Sequence, residues 1–279
     1  LGQPGTRRLG KSRAGRLAHV VAIGIGAVGA GEWVAAADAP LPGGEIGLVR
    51  VQCTSESGYR QVFRGAVIEI DGGPRYDVIL TAGHGLPRDL ETVKEYCAVI
   101  DANGRRHPLR GMWRPEDSGR GMVDDWAVLA TYRRMRRSQP RLPVATPFVV
   151  ERRSLEDSDT SLRLPLMTLA EERDCELLNE GLRAREIERG LFSHSCRSWY
   201  GHSGSPILAA ANGRAVVIGL HLAKRWFYEE HRTVKIGRYV DTEIIDAIDA
   251  AAGDNAPSYV RVAWQTQCDV EPSGCASPQ

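Results

Sequence analysis

The chain has 279 residues, a formal net charge of +1, and 25% charged against 42% hydrophobic residues. That length allows a large core or two packed units, and so even a charge balance gives no field to draw the chain to nucleic acid or another polyanion. With 30 glycines and 15 prolines the chain is rich in turns, which favours an all-β architecture over a helical bundle.

Residues 1–39 read as targeting. Arg7, Arg8, Lys11, Arg13 and Arg16 give a basic start, Leu17 to Ala30 is apolar apart from His19, and Ala35-Ala36-Ala37 is an Ala-x-Ala pattern. This is the layout of a secretory signal peptide, with the cut expected after Ala37 because Pro40 would hinder the later Ala37-Asp38-Ala39 site. The apolar run is short for a membrane span. Gly24-Ile25-Gly26-Ala27-Val28-Gly29 matches a dinucleotide-binding pattern. Such a site needs a preceding strand, a following helix and an acidic residue about 20 positions on. Alanines and Pro40 follow instead, so no cofactor is expected.

Ile46 to Gln52 reads as the first strand and Gln61 to Ile70 as the second, ending in the turn Asp71-Gly72-Gly73-Pro74. Tyr76 to Thr81 forms a third strand that delivers His84 into a Gly-rich turn. Tyr96 to Ile100 is another, and Asp125 opens a strand over Trp126–Tyr132. Arg133 to Arg141 carries five arginines beside Pro140 and reads as a solvated linker rather than a polyanion site. Residues 144–190 are charged and poor in strand formers, with Leu162 to Leu169 as one candidate strand and Glu180 to Arg189 open between helix and loop. Ala215 to Leu222 is a strand carrying His221. Thr242 is expected to cap a helix through Ala251, with Ile244, Ile245 and Ile248 on one face.

Three stretches carry chemistry. In Gly201-His202-Ser203-Gly204-Ser205-Pro206 a serine stands on a glycine-flanked turn, able to present its hydroxyl and neighbouring N–H groups. Val78-Ile79-Leu80-Thr81-Ala82-Gly83-His84 brings a histidine to the end of a strand, and Asp124-Asp125 precedes the apolar run Trp126-Ala127-Val128-Leu129. The chain order His…Asp…Ser differs from the orders of subtilisin-like chains and α/β-hydrolases.

These stretches resemble the trypsin-like (chymotrypsin-fold) serine peptidases. Thr81-Ala82-Gly83-His84 is similar to that family's Thr-Ala-Ala-His, Asp125-Trp126-Ala127-Val128-Leu129 to its Asp-Ile-Ala-Leu-Leu, and Gly201 to Pro206 to its Gly-Asp-Ser-Gly-Gly-Pro. The Ser-Gly-Ser-Pro ending and Gly219-Leu220-His221 are similar to the bacterial glutamyl-endopeptidase branch. The resemblance covers residues 46 to 250 and is sharp only at the three motifs. It implies an all-β fold of two six-stranded antiparallel Greek-key barrels with a short C-terminal helix. It also implies a triad of His84 as base, Asp125 as its orienter and Ser203 as nucleophile, with an oxyanion hole from the N–H groups of Gly201 and Ser203. Asp124 is then expected to face solvent or local backbone.

His202 departs from the animal proteases, whose aspartate there pairs with a new N-terminus, so that mode of activation is not expected. His221 is the candidate substrate-binding residue, contacting an acidic side chain before the scissile bond with Lys224 and Arg225 as helpers. A buried structural histidine is the competing reading, and His107, His194 and His231 read as surface or loop residues. Six cysteines allow many pairings. The resemblance implies Cys175 with Cys196, Cys268 and Cys275 are close enough for a small bridge, and Cys53 and Cys97 remain. No Cys-x-x-Cys pair occurs, so no metal is expected.

The expectation is a secreted or periplasmic monomeric serine endopeptidase with no cofactor. Its partner is a protein or peptide substrate, not nucleic acid and, once the signal is removed, not a membrane. It is divided into a signal peptide (1–37), a first barrel (38–140), a second barrel with helix (141–252) and an extension (253–279). A catalytically silent binding module on the same fold is the alternative.

Overall fold

In the computed structural model the described residues are 47–70, 75–116, 121–136, 140–144, 162–163, 175–178, 180–211, 214–227 and 231–253. The expected signal peptide, most of the expected Leu162–Leu169 strand, the expected Cys268–Cys275 bridge and the expected extension lie outside them.

Six strands close an antiparallel barrel in the order β1-β2-β3-β6-β5-β4. They are β1 (Leu48–Thr54), β2 (Arg60–Ile68), β3 (Val78–Thr81), β4 (Cys97–Ile100), β5 (Arg106–Trp113) and β6 (Ala127–Thr131). β3 and β6 are buried at every residue, which is why they read as continuous apolar runs rather than alternating ones. One face, with Val67, Ile79, Ala127 and Leu129, fills the barrel. The other, with Ala66, Val78, Leu80 and Val128, packs against the second half of the chain.

That half is a six-stranded antiparallel sheet in the order β7-β10-β11-β12-β9-β8. Its strands are β7 (Leu162–Arg163), β8 (Leu177–Leu178), β9 (Leu191–His194), β10 (Pro206–Ala211), β11 (Arg214–Phe227) and β12 (Arg232–Tyr239). The connecting chain pairs with both halves: Leu142 bridges Ile68, and Val144 bridges Val217. It is not simply solvated. Asp77, 2% exposed, accepts from Arg141 Nη2 at 2.7 Å and from the Met135 amide at 2.5 Å, fixing the linker to the barrel.

Three helices are described. α1 (Leu90–Tyr96) was not anticipated, and its last residue, Tyr96, was expected to open a strand. Asp89 caps it, accepting from the Thr92 amide at 2.8 Å. α2 (Ala184–Glu188) settles the open 180–189 segment as a single helical turn. α3 (Thr242–Ala252) is capped by Asp241, not Thr242: Asp241 Oδ1 accepts from the Ile244 amide at 3.2 Å. α3 packs Ile244, Ile245 and Ile248 back onto the first barrel. The Tyr76 hydroxyl donates to the carbonyls of Ala251 and Ala252, at 2.9 and 3.0 Å, satisfying acceptors left over at the helix end.

Among the described residues two disulfides form. Cys53–Cys97 joins directly opposed residues of β1 and β4. Cys175–Cys196 closes the segment before Ser203.

Candidate active site

β3 ends at Thr81, and the chain then turns through Ala82 and Gly83 to His84. β6 pairs with β3 from Thr81↔Ala127 onward, so Asp125, just ahead of β6, arrives beside that turn. His84 Nδ1 and Asp125 Oδ2 are 2.7 Å apart. The other carboxylate oxygen accepts from the amides of His84 and Gly83, at 2.6 and 3.1 Å. One buried carboxylate therefore fixes both the imidazole and the loop that carries it. Burial opposes a charge on His84, but the hydrogen bond to Asp125 and the carboxylate's charge outweigh it, and the imidazole titrates above its ordinary value. Asp124 turns away and meets Arg189 Nη2 at 3.3 Å.

The serine stands on two consecutive turns. His202 N–H donates to Trp199 O at 3.2 Å, and Ser205 N–H to His202 O at 2.9 Å. Each turn has a glycine at its third position, Gly201 at φ 82° and Gly204 at φ 81°, where a positive φ selects glycine. Ser203 thus sits at the leading corner of the second turn. Among the described residues, the N–H groups of Gly201 and Ser203 have no protein acceptor, as donors for an oxyanion would require.

This turn is docked between the halves. Arg64 N–H of β2 donates to Ser203 O at 2.8 Å; Gly204 N–H donates to His221 O of β11 at 2.8 Å, and His221 N–H to Ser205 O at 2.8 Å. A Cβ on Gly204 would stand 2.8 Å from the Ala82 amide nitrogen, so the serine turn lies against the end of the strand that delivers His84. The structure brings His84, Asp125 and the Ser203 turn together, although among the described residues no hydrogen bond joins Ser203 Oγ to His84.

His221 is 2% exposed, and its Nδ1 lies 3.1 Å from His194 Nε2. Burial, then the neighbouring histidines and Lys224, hold its pKa well below the ordinary value, so it is a neutral group near pH 7. His194 is completely buried on β9, not a loop histidine, and burial with Lys235 lowers it to about 3. It had no motif to announce it. His107 lies 3.0 Å from Asp101 Oδ2, while His231 is exposed in the turn before β12. Arg225 is committed to Glu186, at 3.1 and 2.8 Å, and to Gly181 O. Lys224 is exposed, its Nζ 6.0 Å from the centre of the Tyr200 ring. Its Cα partner on β12 is another cation, Lys235.

No family profile matches the chain, and no curated protein matches it. Solved structures do. Protease Anisep from Arthrobacter nicotinovorans is 14% identical over 77% of this chain and 98% of its own, with a TM-score of 0.48. A thermostable serine protease from an extremophilic microorganism is 12% identical over 77% of this chain and 98% of its own, with a TM-score of 0.50. Closed barrel, second antiparallel sheet and C-terminal helix together make the fold chymotrypsin-like.

Proposed function

We propose that the chain is a serine endopeptidase acting through His84, Asp125 and Ser203, with the N–H groups of Gly201 and Ser203 as oxyanion donors. The observation that carries this reading is the His84–Asp125 contact of 2.7 Å beside a serine held on a double glycine turn. His84 takes the proton from Ser203 Oγ as the oxygen attacks the substrate carbonyl carbon. The carbonyl oxygen becomes an oxyanion against the two N–H groups, and the imidazolium then protonates the departing amine. Water, deprotonated by the same imidazole, releases the acyl group from Ser203. Asp125 holds the tautomer that keeps Nε2 free as a base. The two disulfides fit export to an oxidising compartment, and among the described residues no helix is long and apolar enough to cross a membrane.

The substrate reading is an acidic residue before the scissile bond, Glu ahead of Asp. Lys224 supports it as an exposed cation beside Tyr200, three residues ahead of the nucleophile and opposite another lysine. A like-charged cross-strand pair is unfavourable until an anion joins it. His221 serves as a neutral group behind that site rather than as its charge. The test is a fluorogenic peptide panel varying only the residue before the scissile bond. Wild type should prefer Glu, Lys224→Ala should lose that preference by about tenfold or more in kcat/KM, and Ser203→Ala should cleave nothing. Equal rates on Leu and Glu would remove the substrate reading. No cleavage of any peptide would favour the catalytically silent module.

A further inference from the structure

Arg64 is 4% exposed, yet its Nη1 is buried without a hydrogen-bond partner. Among the described residues no carboxylate pairs with it. Its opposite residue on β1 is Arg50, a second cation. Burial, and then the charge of Arg50, lower the Arg64 pKa to about 10. A guanidinium has five donors and no acceptor, and a buried cation is costly unless something anionic meets it.

The place matters as much as the charge. The backbone of Arg64 is part of the nucleophile seat: its N–H donates to Ser203 O at 2.8 Å, and its carbonyl accepts from the Thr81 hydroxyl. His202, 5% exposed, feels the same charge: burial, Arg64 and Lys224 together lower it to about 4. The turn that presents Ser203 thus rests on a strand whose Arg64 guanidinium buries Nη1 without a protein partner among the described residues.

We propose that Arg64 forms the floor of a site for a small monovalent anion, halide- or formate-sized, beneath the nucleophile turn. The near-complete burial of the arginine restricts the occupant to a small ion. Because the residue that holds the ion also holds Ser203 O, occupancy steadies the turn. The site stands whether or not the chain is a peptidase; its effect on turnover rests on that reading.

The experiment compares thermal unfolding in chloride, formate and gluconate at constant ionic strength, so that general screening is the same in every arm. Gluconate carries the charge but is too large for the site. Wild type is expected to gain Tm saturably with chloride or formate and not with gluconate, as ligand linkage requires. Arg64→Met removes the charge and should abolish the response. Arg64→Lys, which keeps a charge on a smaller set of donors, should weaken half-saturation by about tenfold. It also serves if the methionine variant does not fold. Peptide turnover by wild type should rise with the same half-saturation as Tm. A saturable Tm response without any peptide cleavage would keep the site and reject the peptidase reading. Identical unfolding in all three anions, or a chloride response unchanged in both variants, would overturn the site.

Discussion

Protonated His84 cannot serve as a base, so its contact with Asp125 decides where the proposed activity begins on the acid side. Its pKa is raised, and kcat/KM should fall as the pH drops through a midpoint above the ordinary value of about 6.5. Asp125→Asn should move that midpoint down and cost about 10⁴-fold in kcat. Asp124→Asn should change little, because Asp124 meets Arg189 instead. The same contact contributes to stability with a definite sign. The folded pKa of His84 lies above the unfolded one, so its contribution is full below the unfolded value and is lost as the pH rises through the folded one. The stability lost in His84→Ala, measured by urea unfolding, should therefore be greater at about pH 5 than at about pH 9. No limb from a protonated His221 is expected near neutrality, since burial keeps that ring neutral.

Element geometry sets the serine, and glycine is what permits it. Gly204 and Gly58 share the same φ of 81°, but a Cβ on Gly58 meets nothing within 4 Å, whereas one on Gly204 meets Thr81 Oγ1 at 2.5 Å and the Ala82 amide. Gly58→Ala should cost only the backbone penalty of about 1–2 kcal/mol. Gly204→Ala should cost more and lower turnover, because the serine turn must leave its seat; urea unfolding and peptide hydrolysis of both variants check this. The glycine spacing was legible in the sequence because the motif repeats a turn requirement three residues apart. α1 was not: seven residues with one buried apolar position, Val93, give too little periodicity, and Tyr96 read as the strand that begins at Cys97. β12 alternates Val234 and Ile236 with Thr233 and Lys235, a signal present but interrupted by Arg238, which is buried and bonded to Val123 O. β9 is four residues long and hides a histidine and a serine on a wholly buried strand.

Across the molecule, burial of His194, His202 and His221 as neutral groups should make the fold acid-sensitive. Burial holds all three below the ordinary imidazole pKa. Their stabilising contribution is complete above the unfolded value and is lost as the pH falls below it, at up to about 1.4 kcal/mol per pH unit for each ring. His194→Gln should flatten the stability profile between about pH 4 and 6.5, read by urea unfolding across that range. The strands around the site could be read because both faces of β3 and β6 are apolar. The charges beneath and beside it could not, because Arg64, His194 and Lys224 acquire their neighbours only when strands distant in sequence pack together. The central claim is that this turn carries an activated serine. Its most direct test is labelling with a fluorophosphonate, followed by peptide mass mapping. Wild type should carry a single adduct on Ser203 and lose peptide hydrolysis in proportion to labelling, and His84→Ala should label at least about a hundredfold more slowly. An adduct at another residue, or a Ser203 that labels equally fast without His84, would contradict it.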